Sequence, residues 1–172
     1  IKSKILADAT IDSSDEPILL ELIDSDSEDL SFTSIKKLSQ VNEKKAFEIS
    51  DKILKKREKE PKLKVSAALK STSKYLKNNK DASNYQKLES DFIKITQEII
   101  DNPKEQALSD SAVFSLSDLK SKNAFVSLIT NENIDRELKV LAVDENPSVL
   151  LEILTKNPSE QDIELVVIAM EF

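Results

Sequence analysis

The sequence predicts an all-α protein, and three observations carry that prediction. Apolar residues recur at helical spacing along most of the 172 residues. Glycine is absent, where ordinary usage would place about a dozen. Hairpins, bulges and positive-φ turns draw on glycine, so a β-rich chain of this size would be hard to close without it. The five prolines fall at the edges of the periodic stretches, where a missing N–H costs nothing.

Taken in order, residues 28–41 carry Leu30, Ile35, Leu38 and Val41, and residues 43–57 carry Ala46, Phe47, Ile49, Ile53 and Leu54. Residues 62–78 form a stripe of Val65, Ala68, Leu69, Thr72 and Leu76, with Lys64, Lys70 and Lys74 between. In 83–101 the stripe is Tyr85, Leu88, Phe92, Ile95 and Ile99. Residues 108–119 carry Leu108, Ala112, Val113, Leu116 and Leu119, and shorter helices are expected over 122–130, 132–143, 147–155 and 159–172. Asn102-Pro103, Asn146-Pro147 and Asn157-Pro158 each place a capping amide before a proline at the first helical position. Glu105 and Glu160 stand three residues after their Asn, and Gln86 three after Ser83, which is the capping-box spacing. Pro17 and Pro61 are expected to open helices in the same way.

These helices repeat. Ile35, Leu38, Val41, Ala46 and Phe47 recur as Val113, Leu116, Leu119, Ala124 and Phe125 at a constant offset of 78. Ala68, Leu69 and Thr72 match Ser34, Ile35 and Leu38 at an offset of 34, and the run from Pro17 to Leu22 is similar to that from Pro147 to Leu154. A helix–turn–helix unit of roughly 30–44 residues buries its stripe only by stacking on a neighbour. The expected architecture is therefore a set of antiparallel helix pairs stacked into a short right-handed α-solenoid, with an irregular multi-helix bundle as the alternative. It is read as one α-helical repeat domain over 1–172, a segment of a longer chain or assembly.

The stretch from Asp29 to Val41 (DLSFTSIKKLSQV) resembles the first helix of a short HEAT-like repeat. There an apolar residue starts the helix, small residues follow, and larger ones close the inner face. Leu108 to Leu119 is similar, with Ser111 and Ala112 in the small positions, and residues 141–155 resemble the related leucine-rich-variant type. The family's glycine near the end of the first helix is Ser39 or Ser117 here, and its arginine after the apolar starter is Ser31 or Ser109. The resemblance implies a partner-binding solenoid and carries over no catalytic residue.

Composition excludes several chemistries. With no His and no Cys, the usual structural zinc, haem and iron–sulfur ligand sets cannot be assembled, nor can Ser-His-Asp or Cys-His nucleophiles. Glycine-rich phosphate loops are missing. Paired carboxylates remain, but Glu48, Asp91, Glu152 and Glu164 all fall opposite an apolar stripe and are expected to be solvated. Asp24-Ser-Asp-Ser-Glu-Asp lacks the glycine and the glutamate of a calcium loop in register; it reads as a turn followed by helix-opening acids. No enzyme activity, cofactor or metal is expected.

Charge is segregated. Residues 1–35 carry two lysines and nine acids, residues 36–80 carry 15 basic residues and five acids, and residues 81–172 carry eight basic residues and 18 acids. The central block meets an anionic partner, is matched by the acidic segments of the same chain, or is a solvated face. Only Arg57 is an arginine within it, which argues against bidentate phosphate reading. The expected function is a scaffold or protein–protein interaction module, a subunit of a larger assembly that binds protein partners, an acidic one foremost. The alternative is nucleic-acid association through residues 36–80. The contact surface would use Lys44, Lys45, Lys52, Lys55, Lys56, Arg57, Lys59, Lys62 and Lys64. A second, packing end would use Ile163, Val166, Val167, Met170 and Phe172, apolar on too many faces for a capped terminus. No transmembrane run or signal peptide is visible, so a cytoplasmic location is expected, although the absence of cysteine suits either redox compartment.

Overall fold

The computed structural model describes residues 10–155 and 158–172. Among them are ten α-helices, three short 3₁₀ turns and no strand. The chain divides into two compact units, residues 1–79 and residues 80–172.

The first unit contains α1 (Glu16–Ile23), α2 (Glu28–Val41), α3 (Glu43–Lys55) and α4 (Lys62–Asn78), with 3₁₀ turns at Ser13–Asp15 and Arg57–Lys59. Acids open α1, α2 and α3 as the dipole favours, whereas the first turn of α4 has none. Asp12 and Asp15 close a capping box on the first 3₁₀ turn, and Ser27 caps α2 by accepting from the Leu30 N–H. Asn42 ends α2 and caps α3 by accepting from the Lys45 N–H. Pro17 lies in the first turn of α1, whereas Pro61 sits one place earlier than expected, at the N-cap of α4. The α4 helix packs on both α2 and α3. Leu19, Ile35, Leu38, Ala46, Leu54, Val65, Ala68 and Leu69 fill the core. The stripe expected on α4 is there, but Ser66, Ala67, Ser71 and Ser73 are buried as well. Small side chains let neighbours approach α4 over most of its circumference.

The second unit contains α5 (Tyr85–Asp101), a 3₁₀ turn (Pro103–Glu105), α6 (Gln106–Asp118), α7 (Lys122–Thr130), α8 (Arg136–Glu145), α9 (Pro147–Thr155) and α10 (Glu160–Ala169). The short α7 is its hub, packing on α5, α6, α8, α9 and α10. Phe125 and Ile129 of α7 meet Val149 and Ile153 of α9 and Leu165 and Ala169 of α10.

Several boundaries differ from the sequence reading. The Ser83–Gln86 box does not form: α5 starts at Tyr85, and its N-cap Asn84 makes no side-chain capping bond. Asn102 caps the 3₁₀ turn instead of an α-helix, because the tighter winding brings the Lys104 N–H to its side chain at 3.1 Å. Residues 131–135 are not helical; the Asn131 side chain accepts from the Asn133 N–H at 2.8 Å, a local turn that competes with the helix. Asn146 stands before Pro147, but its side-chain amide donates to Ser117 Oγ at 2.9 Å and to the Ala142 carbonyl at 2.7 Å. The expected cap at Asn157 lies outside the described residues. Ser159 and Asp162 close the capping box of α10.

The chain has no glycine, and among the described residues Lys120 alone takes a positive φ, 50°. A left-handed non-glycine residue costs about 1–2 kcal/mol. Two hydrogen bonds hold it there: Lys80 Nζ donates to its carbonyl at 2.6 Å, and its own Nζ donates to the Glu145 carbonyl at the end of α8 at 2.7 Å.

Candidate functional site

The basic residues singled out above lie along α3, the 3₁₀ turn after it and the first turn of α4. Five of them, Lys44, Lys52, Lys56, Lys59 and Lys62, are exposed, and no ion pair engages them among the described residues. Lys45 pairs with Glu48 at 3.8 Å, and Lys55 with Asp51 at 2.7 Å. Both are helical i,i+3 or i,i+4 pairs on the surface, each contributing a few tenths of a kcal/mol. Lys52 and Lys55 also lie in the last turn of α3, where cations complement the carbonyl end of the helix. Arg57 Nη1 donates to the Leu54 carbonyl at 3.4 Å, completing that helix end.

Lys64 takes no place on this surface. It is 9% exposed and bridges Glu60 at 3.2 Å and Asp24 at 3.3 Å, joining α4 to the turn after α1. Its position on α4 points it inward, and its aliphatic stem lets the ammonium reach two carboxylates near the surface. Lys55, Lys56, Arg57, Glu58 and Lys59 line an open groove of about 470 Å³ at the end of α3. Four cations and one carboxylate give that groove a positive potential, suited to an anionic chain. The nearby aromatics are not free to stack with a base: Phe47 and Tyr75 lie on each other, ring centroids 4.2 Å apart.

The second candidate surface divides. Val166 and Phe172 pack against the core that α7, α9 and α10 share. Ile163, Val167 and Met170 point outward, 51%, 56% and 81% exposed.

A third place was not signalled by the apolar pattern. Lys80, Tyr85, Glu89, Lys120, Asn123 and Glu152 are among the residues lining an open cleft of about 570 Å³ in the second unit. Glu89 is buried there; it accepts from Tyr85 Oη at 2.8 Å and from Asn123 Nδ2 at 3.0 Å. Burial, and then the hydrogen bond and charge of Glu89, push the Tyr85 phenol far above its usual range. The signal lay in the spacing Glu89, Phe92, Thr96, Ile99, which is the buried line of α5. The expected line through Leu88 and Ile95 is rotated aside, and both are half-buried. With a partner on each oxygen of Glu89, the arrangement ties α5 to α7. The acids weighed for catalysis, Glu48, Asp91, Glu152 and Glu164, are exposed.

No group of His, Cys, Asp and Glu capable of holding a metal ion occurs among the described residues. None of their helices is long and apolar enough to cross a membrane. Among the described residues the structure thus defines an all-helical protein that exposes Lys44, Lys52, Lys56, Lys59 and Lys62 in its first unit. No family model, curated protein or solved structure matches the chain.

Proposed function

We propose that the chain is a non-enzymatic helical scaffold that docks an acidic protein through the lysine cluster of its first unit, as a subunit of a larger assembly. One observation carries this reading: Lys44, Lys52, Lys56, Lys59 and Lys62 remain exposed and in no ion pair among the described residues, while neighbouring Lys45, Lys55 and Lys64 are each engaged. Like charges held together in this way repel one another, and an acidic partner relieves that repulsion on binding. Flexible point charges suit carboxylates spread over a protein surface. Planar bidentate contacts to phosphate call for arginine, and the single Arg57 is turned onto the Leu54 carbonyl.

The scaffold itself is read as a short right-handed α-solenoid of the HEAT-like type. Two features support this. Within each unit, helices close in sequence pack on each other. Three of the five pairs at the offset of 78 also share burial: Ile35, Leu38 and Ala46 in α2 and α3, and Val113, Leu116 and Ala124 in α6 and α7, are all buried, whereas Val41 and Phe47 are less buried than Leu119 and Phe125.

The test is fluorescence anisotropy with a labelled poly-glutamate peptide and, separately, a labelled random duplex DNA across a salt series. The peptide is expected to bind in a salt-sensitive way, with affinity at least tenfold lower for K52E/K56E/K59E. Duplex binding of equal or greater affinity, with a log–log salt slope of several units, would replace the acidic-protein reading by the nucleic-acid one. Peptide binding unchanged by the triple reversal would remove the cluster from the function.

A further inference from the structure

The α10 helix carries two apolar faces, and the core explains one. Leu165 and Ala169 are buried against α7 and α9. Ile163, Val167 and Met170 recur at i, i+4 and i+7, which places them on a single line of the helix. That line is exposed. Along one flank run Glu160 and Glu164, and Glu171 follows in the turn that ends the helix; all three are exposed and in no ion pair among the described residues. Asp162 is set apart from them, paired with Lys122 of α7.

We propose that this face of α10 is a docking site for a basic amphipathic helix of a partner protein. The apolar line supplies the i, i+4, i+7 contacts by which a helix seats on another helix. Met170 adds an unbranched thioether that adapts to the shape of what covers it. The acidic flank selects the occupant by charge. A helix with lysines or arginines beside its own apolar stripe meets Glu160, Glu164 and Glu171, whereas an acidic helix is repelled. A second copy of the same face is a poor occupant, because residues 158–172 contain four acids and no Lys or Arg. Antiparallel pairing would set the two acidic flanks against each other, and parallel pairing would bring no Lys or Arg of residues 158–172 opposite either flank. This proposal concerns the second unit and stands apart from the lysine cluster of the first.

The probe is a labelled synthetic helix of roughly five turns, with leucines at i, i+3, i+4 and i+7 and lysines elsewhere. It is titrated with the full chain and compared with two controls, one with glutamate for every lysine and one with serine for every leucine. The Leu/Lys peptide is expected to bind at least tenfold more tightly than either control. I163S/V167S/M170S is expected to weaken it at least tenfold, as is E160Q/E164Q/E171Q, with helix content unchanged by circular dichroism. The glutamine triple keeps every apolar contact, so it remains informative if the serine triple fails to fold. Amide NMR shifts on adding the peptide are expected to centre on residues 160–171. Equal binding of the glutamate peptide, or undiminished binding to the glutamine triple, would overturn the proposal. So would concentration-dependent dimerisation abolished by I163S/V167S/M170S, which would assign the face to a second copy.

Discussion

The Tyr85 phenol donates to Glu89 Oε1 at 2.8 Å, while the other oxygen of that carboxylate accepts from Asn123 Nδ2 at 3.0 Å. A single buried acid therefore links two positions of α5 to the start of α7. Deprotonating Tyr85 would put a charge where burial has removed water, break the hydrogen bond to Glu89 and set a second negative charge against that carboxylate. The folded state accordingly holds the phenol proton more tightly than the unfolded chain does. The stabilisation this provides is complete below the ordinary tyrosine value of about 10 and is lost as pH rises beyond it. In a Tyr75→Phe background, which retains a ring against Phe47, tyrosinate absorbance reports Tyr85 alone. Its midpoint is expected well above that of free tyrosine, and Glu89→Gln is expected to lower it. A midpoint equal to that of free tyrosine would show the hydrogen bond to be absent in solution.

Buried serines fall into two groups with opposite expectations. Ser31 Oγ donates to the Ile23 carbonyl at 2.9 Å and also lies 3.2 Å from the Ser25 carbonyl, fastening the turn between α1 and α2. Ser50 and Ser73 are fully buried, and their hydroxyls have no partner among the described residues. Urea unfolding of Ser31→Ala is expected to show a loss of about 1 kcal/mol. Ser50→Ala and Ser73→Ala are expected to gain up to about 1 kcal/mol, from relieved desolvation and better helix propensity. A clear loss at Ser50 would reveal a hydroxyl partner there.

Lys120 combines a left-handed backbone with a side chain that caps α8, so two substitutions separate these roles. Both Lys120→Ala and Lys120→Gly remove the bond from Nζ to the Glu145 carbonyl, but only glycine relieves the backbone. Lys120→Gly is expected to be more stable than Lys120→Ala by about 1 kcal/mol in equilibrium unfolding. Equal stability of the two would place the residue outside the left-handed region in solution.

Lys64 offers a control for the lysine cluster. Lys64→Met preserves the buried stem and removes only the charge that Glu60 and Asp24 share. Poly-glutamate affinity is expected to change less than twofold in Lys64→Met and severalfold in Lys56→Glu. A larger loss at Lys64 than at Lys56 would mean that overall charge, and not the exposed cluster, governs binding.

The Asp162 carboxyl is held below the usual carboxylate range, first by its hydrogen bond from the Lys122 ammonium and then by the Ser159 N–H. A depressed value means the contribution is present above the ordinary carboxylate value of about 4 and is lost as pH falls through the lowered one. NMR titration of the Asp162 carboxyl is expected to show this, and Lys122→Met should move the midpoint upward. No movement would remove Lys122 as its cause.

The helices were legible where the apolar line and its capping residues agreed. The expected spans 28–41, 62–78, 122–130 and 147–155 coincide with α2, α4, α7 and α9. Legibility failed where a polar side chain held a better alternative. Asn131 and Asn133 both donate to Asp101, which keeps residues 131–135 out of α8. On α5, Glu89 and Thr96 occupy the buried line because hydrogen-bond partners stand beside them. Thr96 returns its hydroxyl to the Phe92 and Ile93 carbonyls, but the acceptor role of Glu89 depends on Asn123 from a distant helix. The candidate lysines were visible as a block of charge. Which of them are engaged depends on tertiary partners such as Asp24, 40 residues from Lys64.

The chain has no tryptophan and only two tyrosines, and these fall one to each unit, Tyr75 stacked on Phe47 and Tyr85 bonded to Glu89. Each half thus contains its own native fluorophore, in a different chemical setting. Replacing either tyrosine by phenylalanine leaves an emission signal that belongs to one half only. Melting of the two halves can then be recorded separately, without a dye or label, showing whether they come apart together or in sequence.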